Sequence, residues 1–310
     1  MPDVRIGAVD LGSNTLKYAV AQTTADGFDL LDEGELFVRV SEGVERTGRL
    51  GLGAIRRTFE GLDHVRSVLA EHGVQREVAV ATAGLRGVEN ADVVVRGAKK
   101  RGFDFSIIDG DREAELSFVA PSKLYGPGRV AVFDIGGRST EITVGRAGEI
   151  ERRVSLPLGG VRLTERFLPT DPPTNVDVEA LRRAVRDALA EAPELDPDVP
   201  LIGVAGTSLA LFGHAKQIAF MREVIHVAEG RRLTVLEVNQ SLEKLRAQSL
   251  EQRYLGDVIP PRRADVIVAG AAIVAGILAH YRRLFFTVSS RGLRYGLLDE
   301  LTRLTSMPLT

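Results

Sequence analysis

The chain contains no cysteine. That absence removes disulfide scaffolds, thiolate zinc sites, iron–sulfur clusters and cysteine nucleophiles. Histidine is sparse, with five residues at 64, 72, 214, 226 and 280. None falls in a metal-binding spacing such as H-E-x-x-H, so no histidine-built metal site is expected. An excess of one charge is also missing. Lys and Arg number 40 against 42 Asp and Glu, a formal net charge of −2 at pH 7. No global basic field draws the protein to a nucleic-acid polymer or an anionic membrane. Long hydrophobic runs are absent too. The longest, residues 266–279, falls short of the roughly 20 residues a membrane-spanning helix needs. Arg262, Arg263 and Asp265 stand directly before it, and it reads as a buried helix. At the N-terminus no basic region precedes a long apolar one, and Asp10 interrupts the only apolar run. No export segment is expected, and the reading is cytoplasmic.

What remains is an ordinary globular composition. The 310 residues, 44% apolar and 26% charged, suit about two domains at roughly 150 residues each. Disordered and collagen-like chains are excluded.

Along the chain, residues 6–9 are apolar and end at Asp10. Gly12-Ser13-Asn14 reads as a turn, and Leu16, Tyr18 and Val20 alternate on the way back. This predicts a β-hairpin. Residues 36–40 are expected as a third strand. The spacing of Ile55, Phe59, Leu62, Val65 and Leu69 predicts a helix stopped at Gly73. A short strand at 78–81, a helix from an Asn90 cap to about 101, a strand at 103–108 and a helix from 111 to about 119 complete an α/β pattern with a mixed sheet. The turn-rich segment 121–129 is the expected domain boundary.

After it the pattern restarts. Residues 130–133 are apolar and end at Asp134, Gly136-Gly137 makes a turn, and residues 142–144 return as a strand. The segments D-L-G-S-N-T at 10–15 and D-I-G-G-R-S-T at 134–140 therefore read as a duplicated unit, 124 residues apart. That period is too long for a solenoid. Helices are expected from an Asp177 cap to about 192, from the capping box Thr234–Glu237 to about 248, at 264–281 and at 292–304. Strands are expected at 201–205 and 285–288.

A tight turn of Gly and Ser/Thr leaves backbone N–H groups directed inward, and such nests hold phosphate oxygens. Glycine permits close approach and tolerates positive φ. Hydroxyls of Ser13, Thr15, Ser139 and Thr140 add donors. Asp10 and Asp134, each ending a strand at such a turn, would repel phosphate unless a cation intervenes. Mg²⁺ suits oxygen ligands shared with substrate phosphates, and Glu141 is a further ligand candidate. The alternative is that each turn is a plain hairpin loop and each Asp a turn former. Finding the pattern twice favours a phosphate cleft between two related lobes.

The segments IGAVDLGSNTLK, ATAGLRGVEN, DGDREAEL, VFDIGGRSTEI, SLPLGGVRLTERF and VSSRGLRYGLL occur in that order. Together they resemble the exopolyphosphatase/guanosine pentaphosphate phosphohydrolase (Ppx/GppA) family, from about residue 4 to 300, in its short form without a helical C-terminal extension. The resemblance implies an α/β fold of two actin-like domains, in the RNase H-like superfamily of sugar kinases and heat-shock ATPases, with mixed sheets and an interdomain cleft. The domains are expected at 1–124 and 125–310, with the closing helix packing back on the first. By the match to the family's G-x-E-E-A motif, Glu113 is the general base that activates water; without the resemblance it reads as a first-turn acid complementing the helix dipole. Matching positions make Asp134 and Glu141, with Asp10, the metal-site carboxylates. They make Ser13, Asn14, Thr15, Arg86, Gly136, Gly137, Ser139 and Thr140 the phosphate contacts, and Arg138, which departs from the pattern, joins them as a candidate extra donor. Lys17 stands where the family often has Arg or His.

The implied function is Mg²⁺-dependent hydrolysis of the terminal phosphate of inorganic polyphosphate. The alternatives are hydrolysis of guanosine pentaphosphate and a catalytically weak sensor of polyphosphate or guanosine polyphosphates; a kinase or chaperone on the same fold would need a second substrate pocket. A homodimer is a candidate assembly. Four positions depart from the family pattern: Arg112 replaces an acid, Arg138 replaces a glycine, and Ser290 and Tyr295 replace two acids. Either Arg138 is strained at positive φ or it adds a phosphate donor.

Overall fold

The computed structural model describes residues 4–124, 126–218, 221–255 and 258–306. It falls into two compact units, one drawn from Met1–Ala120 and Leu293–Thr310, the other from Pro121–Gly292. The expected boundary at 124/125 touches Tyr125, which lies outside the described residues.

In the first unit β1 (Arg5–Leu11) and β2 (Leu16–Thr24) pair antiparallel, with Asp10 opposite Lys17 and Leu11 opposite Leu16. β3 (Gly27–Leu36) runs antiparallel to β2. β4 (Arg76–Ala81) and β5 (Phe105–Ile107) add in parallel on the far side of β1. The order is β3-β2-β1-β4-β5. A strand with period two, buried on both faces, must be apolar there, and β1 is apolar from Ile6 to Val9. Ile6 and Ala8 pack with Leu116 and with Leu293, Leu297, Leu298 and Leu301 of the C-terminal helix Leu293–Ser306. Val9 and Leu11 pack on the other face with Leu62, Val65 and Leu69 of the helix Leu52–Glu71. Asp10 shares the parity of Ile6 and Ala8. Its face is therefore the one covered by Leu116 of the helix Gly110–Leu124.

The second unit repeats this plan. β6 (Arg129–Ile135) pairs antiparallel with β7 (Thr140–Arg146), and β7 with β8 (Glu149–Leu156). β9 (Leu201–Val204) lies parallel to β6, and β11 (Phe285–Val288) parallel to β9. β10 (Arg232–Thr234) adds an antiparallel edge, giving the order β10-β11-β9-β6-β7-β8. Without β10 the two sheets share strand order and directions, as duplication predicts. Asp134 stands opposite Glu141, as Asp10 stands opposite Lys17. The apolar run forms the helix Ile267–His280, whose Ile273, Val274 and Ile277 are fully buried in the core of this unit. Among the described residues no helix is long and apolar enough to cross a membrane.

Several expectations are corrected. The third strand is Gly27–Leu36, not 36–40. It is an edge strand with no buried face, and Asp29, Asp32, Glu33 and Glu35 leave no apolar alternation to read; charges on an edge also discourage pairing with a stranger. Residues 121–124 are helical, with Pro121 inside the helix Gly110–Leu124. A proline in the last turn forfeits one intrahelical bond without ending the helix at once. Asn90 makes no side-chain cap; it exchanges two hydrogen bonds with the Leu50 backbone at 2.7 and 3.1 Å. Thr174 caps the helix Asn175–Leu189, and Asp177 is the reciprocal partner of that capping box. The helix at 264–281 starts later, at Ile267, after a short 3₁₀ turn Pro261–Arg263. The box Thr234–Glu237 is as expected.

His214 ties two helices of the second unit. Its Nδ1 lies 2.9 Å from Ser241 Oγ, joining the helix Ala205–Lys216 to the helix Val235–Ala247. Burial, reinforced by the charge of Lys244, pushes its pKa below the ordinary histidine value. The folded state thus resists a proton that the unfolded chain accepts below about pH 6.5. Stability is unaffected above that pH and falls as pH drops through it, by up to about 1.4 kcal/mol per pH unit. Replacing His214 with Gln should flatten this dependence. Urea midpoints of wild type and variant between pH 7.5 and 5 measure it; parallel curves would rule out His214 as the source.

Candidate active site

The candidate residues of the first unit gather at the carboxyl ends of the parallel strands β1, β4 and β5. Open α/β sheets place ligands there because connections diverge at those ends. After Asp10 the chain turns through residues 12–15. The turn closes by the Gly12 N–H donating to the Thr15 carbonyl at 2.9 Å. Its outward carbonyls are also used. Ser13 O accepts from Ser41 N at 3.1 Å, and Asn14 O from Arg39 N at 2.9 Å. On the other side a Cβ added to Gly84 would lie 2.9 Å from Ser13 Cα, so only glycine lets the segment after β4 approach this closely. Two residues on, Arg86 donates from Nη1 to Glu113 Oε2 at 2.7 Å and to the Ile108 carbonyl at 3.0 Å. Glu113, in the first turn of its helix, is only 8% exposed. Ser13, Asn14 and Thr15 are buried. Asn14 Nδ2 has no hydrogen-bond partner among the described residues. A buried, unused N–H donor next to inward-facing hydroxyls suits an anionic ligand.

The second unit repeats the turn. Gly136 N–H donates to the Ser139 carbonyl at 2.9 Å. Gly136 O accepts from Gly160 N at 3.0 Å and Gly137 O from Arg162 N at 2.9 Å, which fixes the turn to the start of the helix Gly160–Phe167. A Cβ on Gly159 would lie 2.3 Å from Arg138 N. Beyond β9, the side of Gly206 is filled by the buried guanidinium of Arg263, and Thr207 Oγ1 donates to the Ile135 carbonyl at 3.3 Å. Because Val204 pairs with Asp134, this junction lies beside the strand end that carries the acid.

Of the two roles expected of the turn glycines, one is observed. Neither Gly12 nor Gly136 adopts positive φ, and Arg138 does not either. Strain at Arg138 is therefore excluded; closeness of neighbouring backbone is what these turns demand. Thr140 is also reassigned. It is fully buried and donates from Oγ1 to the Leu158 carbonyl at 2.5 Å, so its hydroxyl serves the fold. Ser139 is buried at the turn's last position, while Gly136, Gly137 and Arg138 remain partly accessible.

Whether a divalent cation fits is decided by the register. Asp134 and Glu141 are directly opposed across an antiparallel pair and share one face; such pairs place Cβ atoms about 5 Å apart, and like charges there disfavour each other. A cation held between them would offset that conflict. Ser155 Oγ orients Glu141 by donating to Oε1 at 2.7 Å. No group of three or more metal-ligating side chains occurs among the described residues. Two carboxylates suit Mg²⁺, which keeps waters and shares substrate phosphates, better than an ion that needs a full protein cage. Asp10 faces Lys17 instead, an opposite charge. Reading by sequence passed over Ser155 and Arg263. Ser155 lies in a polar edge strand without alternation, and Arg263 reads only as a charge preceding the apolar helix.

The chain matches the model of the Ppx/GppA phosphatase family over residues 19–304. It is 36% identical over 301 residues to Exopolyphosphatase 2 of Mycobacterium tuberculosis, covering 90% of this chain and 91% of that one. The crystal structure of the Aquifex aeolicus Ppx/GppA family member superposes with a TM-score of 0.80 at 27% identity, covering 99% of this chain and all of that one. An exopolyphosphatase from Cytophaga hutchinsonii gives 0.83 at 26% identity, covering 96% and 98%.

Gly159→Ala tests the bracing of the second turn. The overlap with Arg138 is with backbone and cannot be relieved by a rotamer. The expected cost is about 1–3 kcal/mol, seen as a melting temperature lowered by several degrees and faster amide exchange at 136–139. Gly128→Ala, where no atom lies within 4 Å, should change neither. Equal behaviour of the two variants would mean the turn is not held from Gly159.

Proposed function

The chain belongs to the Ppx/GppA phosphatase family, and from that premise we propose that it is an exopolyphosphatase, removing the terminal phosphate of inorganic polyphosphate as orthophosphate. It is a hydrolase of phosphoanhydride bonds. The observation that carries the reading is Glu113: a buried carboxylate at the start of a helix, held by Arg86 at the carboxyl end of a parallel sheet.

In this reading Glu113 accepts a proton from the attacking water. The water oxygen bonds to the terminal phosphorus as the bridging P–O bond breaks, and the shortened chain leaves with the bridging oxygen. A carboxylate within reach of that water contributes about 10²–10⁴-fold. Arg86 fixes the direction of Glu113 and brings a cationic side chain to the same strand ends, where it would offset phosphate charge. Ser13, Asn14 and Thr15 in one turn, and Gly136, Gly137, Arg138 and Ser139 in the other, supply phosphate donors. Asp134 and Glu141 would hold Mg²⁺, with Asp10 as a further carboxylate; when bound, the ion neutralises phosphate charge and polarises the phosphoryl group. The family tie and the naming of the Mycobacterium tuberculosis relative support polyphosphate over other phosphoanhydrides. A cytoplasmic location and a homodimer belong to the same reading, and neither enters the mechanism.

Phosphate release from long-chain polyphosphate is expected to need Mg²⁺, to vanish with chelator and to return on adding the ion. Glu113→Gln should lower kcat at least about a hundredfold with little change in melting temperature. Undiminished turnover in that variant removes Glu113 from the role of base. Faster turnover of guanosine pentaphosphate than of polyphosphate would instead reassign the substrate.

A further inference from the structure

One half-buried acid is not used by this mechanism. Glu229 follows the helix Met221–Ala228 and precedes β10. Its Oε2 accepts three hydrogen bonds: from Ser290 N at 2.8 Å, Ser290 Oγ at 2.9 Å and Ser289 Oγ at 3.2 Å. The backbone around it pairs with the same stretch. Gly230 N donates to Val288 O at 3.0 Å, and Val288 N to Arg231 O at 2.8 Å. Ser289 Oγ also accepts from Arg291 N at 3.2 Å, which begins the next turn. Glu229 Oε1 is buried and has no hydrogen-bond partner among the described residues. The whole grip of this carboxylate thus falls on residues 289 and 290.

Those residues occupy a marked place in the sheet. β11, β9 and β6 are parallel neighbours, so their carboxyl ends lie side by side; Val288 pairs with Gly203, and Val204 with Asp134. Ser289 N donates to Gly203 O at 3.0 Å. From there the segment 289–292 returns toward Asp134. A Cβ built on Gly292 would lie 4.0 Å from Asp134 Oδ2. In the first unit, the third parallel strand, β5, is followed by the segment that presents Glu113. The corresponding segment after β11 reads Ser289-Ser290-Arg291-Gly292 and carries no acid of its own. The acid reaches it from a different element.

We infer that Glu229 is a positioning residue: its carboxylate anchors the 289–292 turn and so sets how that turn abuts Asp134. The inference deepens the proposed function and rests on it for its catalytic consequence, while the anchoring itself does not. What the turn needs is a fixed acceptor for three donors. An amide oxygen keeps two lone pairs for these donors, whereas alanine offers none. Outer partners of this kind commonly change activity or metal affinity by about 10–100-fold without touching substrate.

The test compares wild type with Glu229→Ala, Glu229→Gln and Ser290→Ala. Amide exchange at residues 289–292 should quicken in Glu229→Ala, stay near wild type in Glu229→Gln and fall between in Ser290→Ala. The turn at 12–15 serves as the internal reference and should not change. With polyphosphate and Mg²⁺, Glu229→Ala should lose about tenfold or more in kcat and need more Mg²⁺ for half-maximal rate, with KM for polyphosphate moved less than about threefold. Glu229→Gln should restore most of it. Unchanged exchange in Glu229→Ala, or a Gln variant as impaired as the Ala variant, overturns the inference. If Glu229→Ala does not fold, Ser290→Ala decides by the same exchange readout. Should wild type release no phosphate, the proposed function fails, while the exchange data still judge the anchoring. Should wild type be active and Glu229→Ala equal to it, the inference fails and the function stands.

Discussion

A four-residue turn, closed by one backbone hydrogen bond two residues after an aspartate, is the constraint on which both units depend. Gly12 to Thr15 and Gly136 to Ser139 each span 2.9 Å. The turn fixes the register of its hairpin, and register decides which face an acid occupies. A slip of one residue would move Asp10 or Asp134 to the opposite face and expose the apolar neighbours that now pack there. Each turn is braced from outside by a glycine, Gly84 in the first unit and Gly159 in the second, whose missing side chain lets a second backbone segment press against it. Position is thus set by main chain. Side-chain chemistry can vary around it.

The two units use that freedom differently. Register places Lys17 opposite Asp10 but Glu141 opposite Asp134. In the first unit the acid has a cation as cross-strand neighbour, and Arg86 orients the carboxylate of Glu113 on the helix after β5. In the second, two carboxylates share one face, and under the proposed function a divalent ion would offset their repulsion. The registers of the two copies thus differ in the sign of one position, 17 or 141.

Much of this was legible in the sequence. The duplicated D-x-G signature gave both hairpins, the 124-residue offset gave the matching sheets, and the apolar run gave the buried helix. Legibility ended where burial does not leave a periodic mark. β3 and β8 are edge strands rich in charge, so Asp29 to Glu35 and Glu149 to Arg153 show no alternation. Arg263 lies flat on Gly206, a contact that depends on tertiary packing between distant segments. Glu229 is an acid at the end of a helix, indistinguishable by pattern from a solvated one. Of the two reasons given for glycine in the turns, close approach holds and positive φ does not, a distinction that only the packing of neighbouring segments reveals.

The four departures from the family pattern resolve on the same physical grounds. Arg112 pairs with Glu115 and Glu300, joining two helices of the first unit. Tyr295 is buried with its ring 6.2 Å from that of Phe28. Both therefore serve the seating of the C-terminal helix. Ser290 loses a carboxylate but receives one from Glu229. Arg138 alone stands in a phosphate-type turn, half-buried and with ordinary backbone φ. A guanidinium offers a rigid fork of N–H donors that matches phosphate oxygens better than a glycine can. The net change at the second turn is one more cationic donor set. Under the proposed function, such a change would strengthen the hold on a ligand that carries charge on every repeating residue more than on one with a short anionic tail.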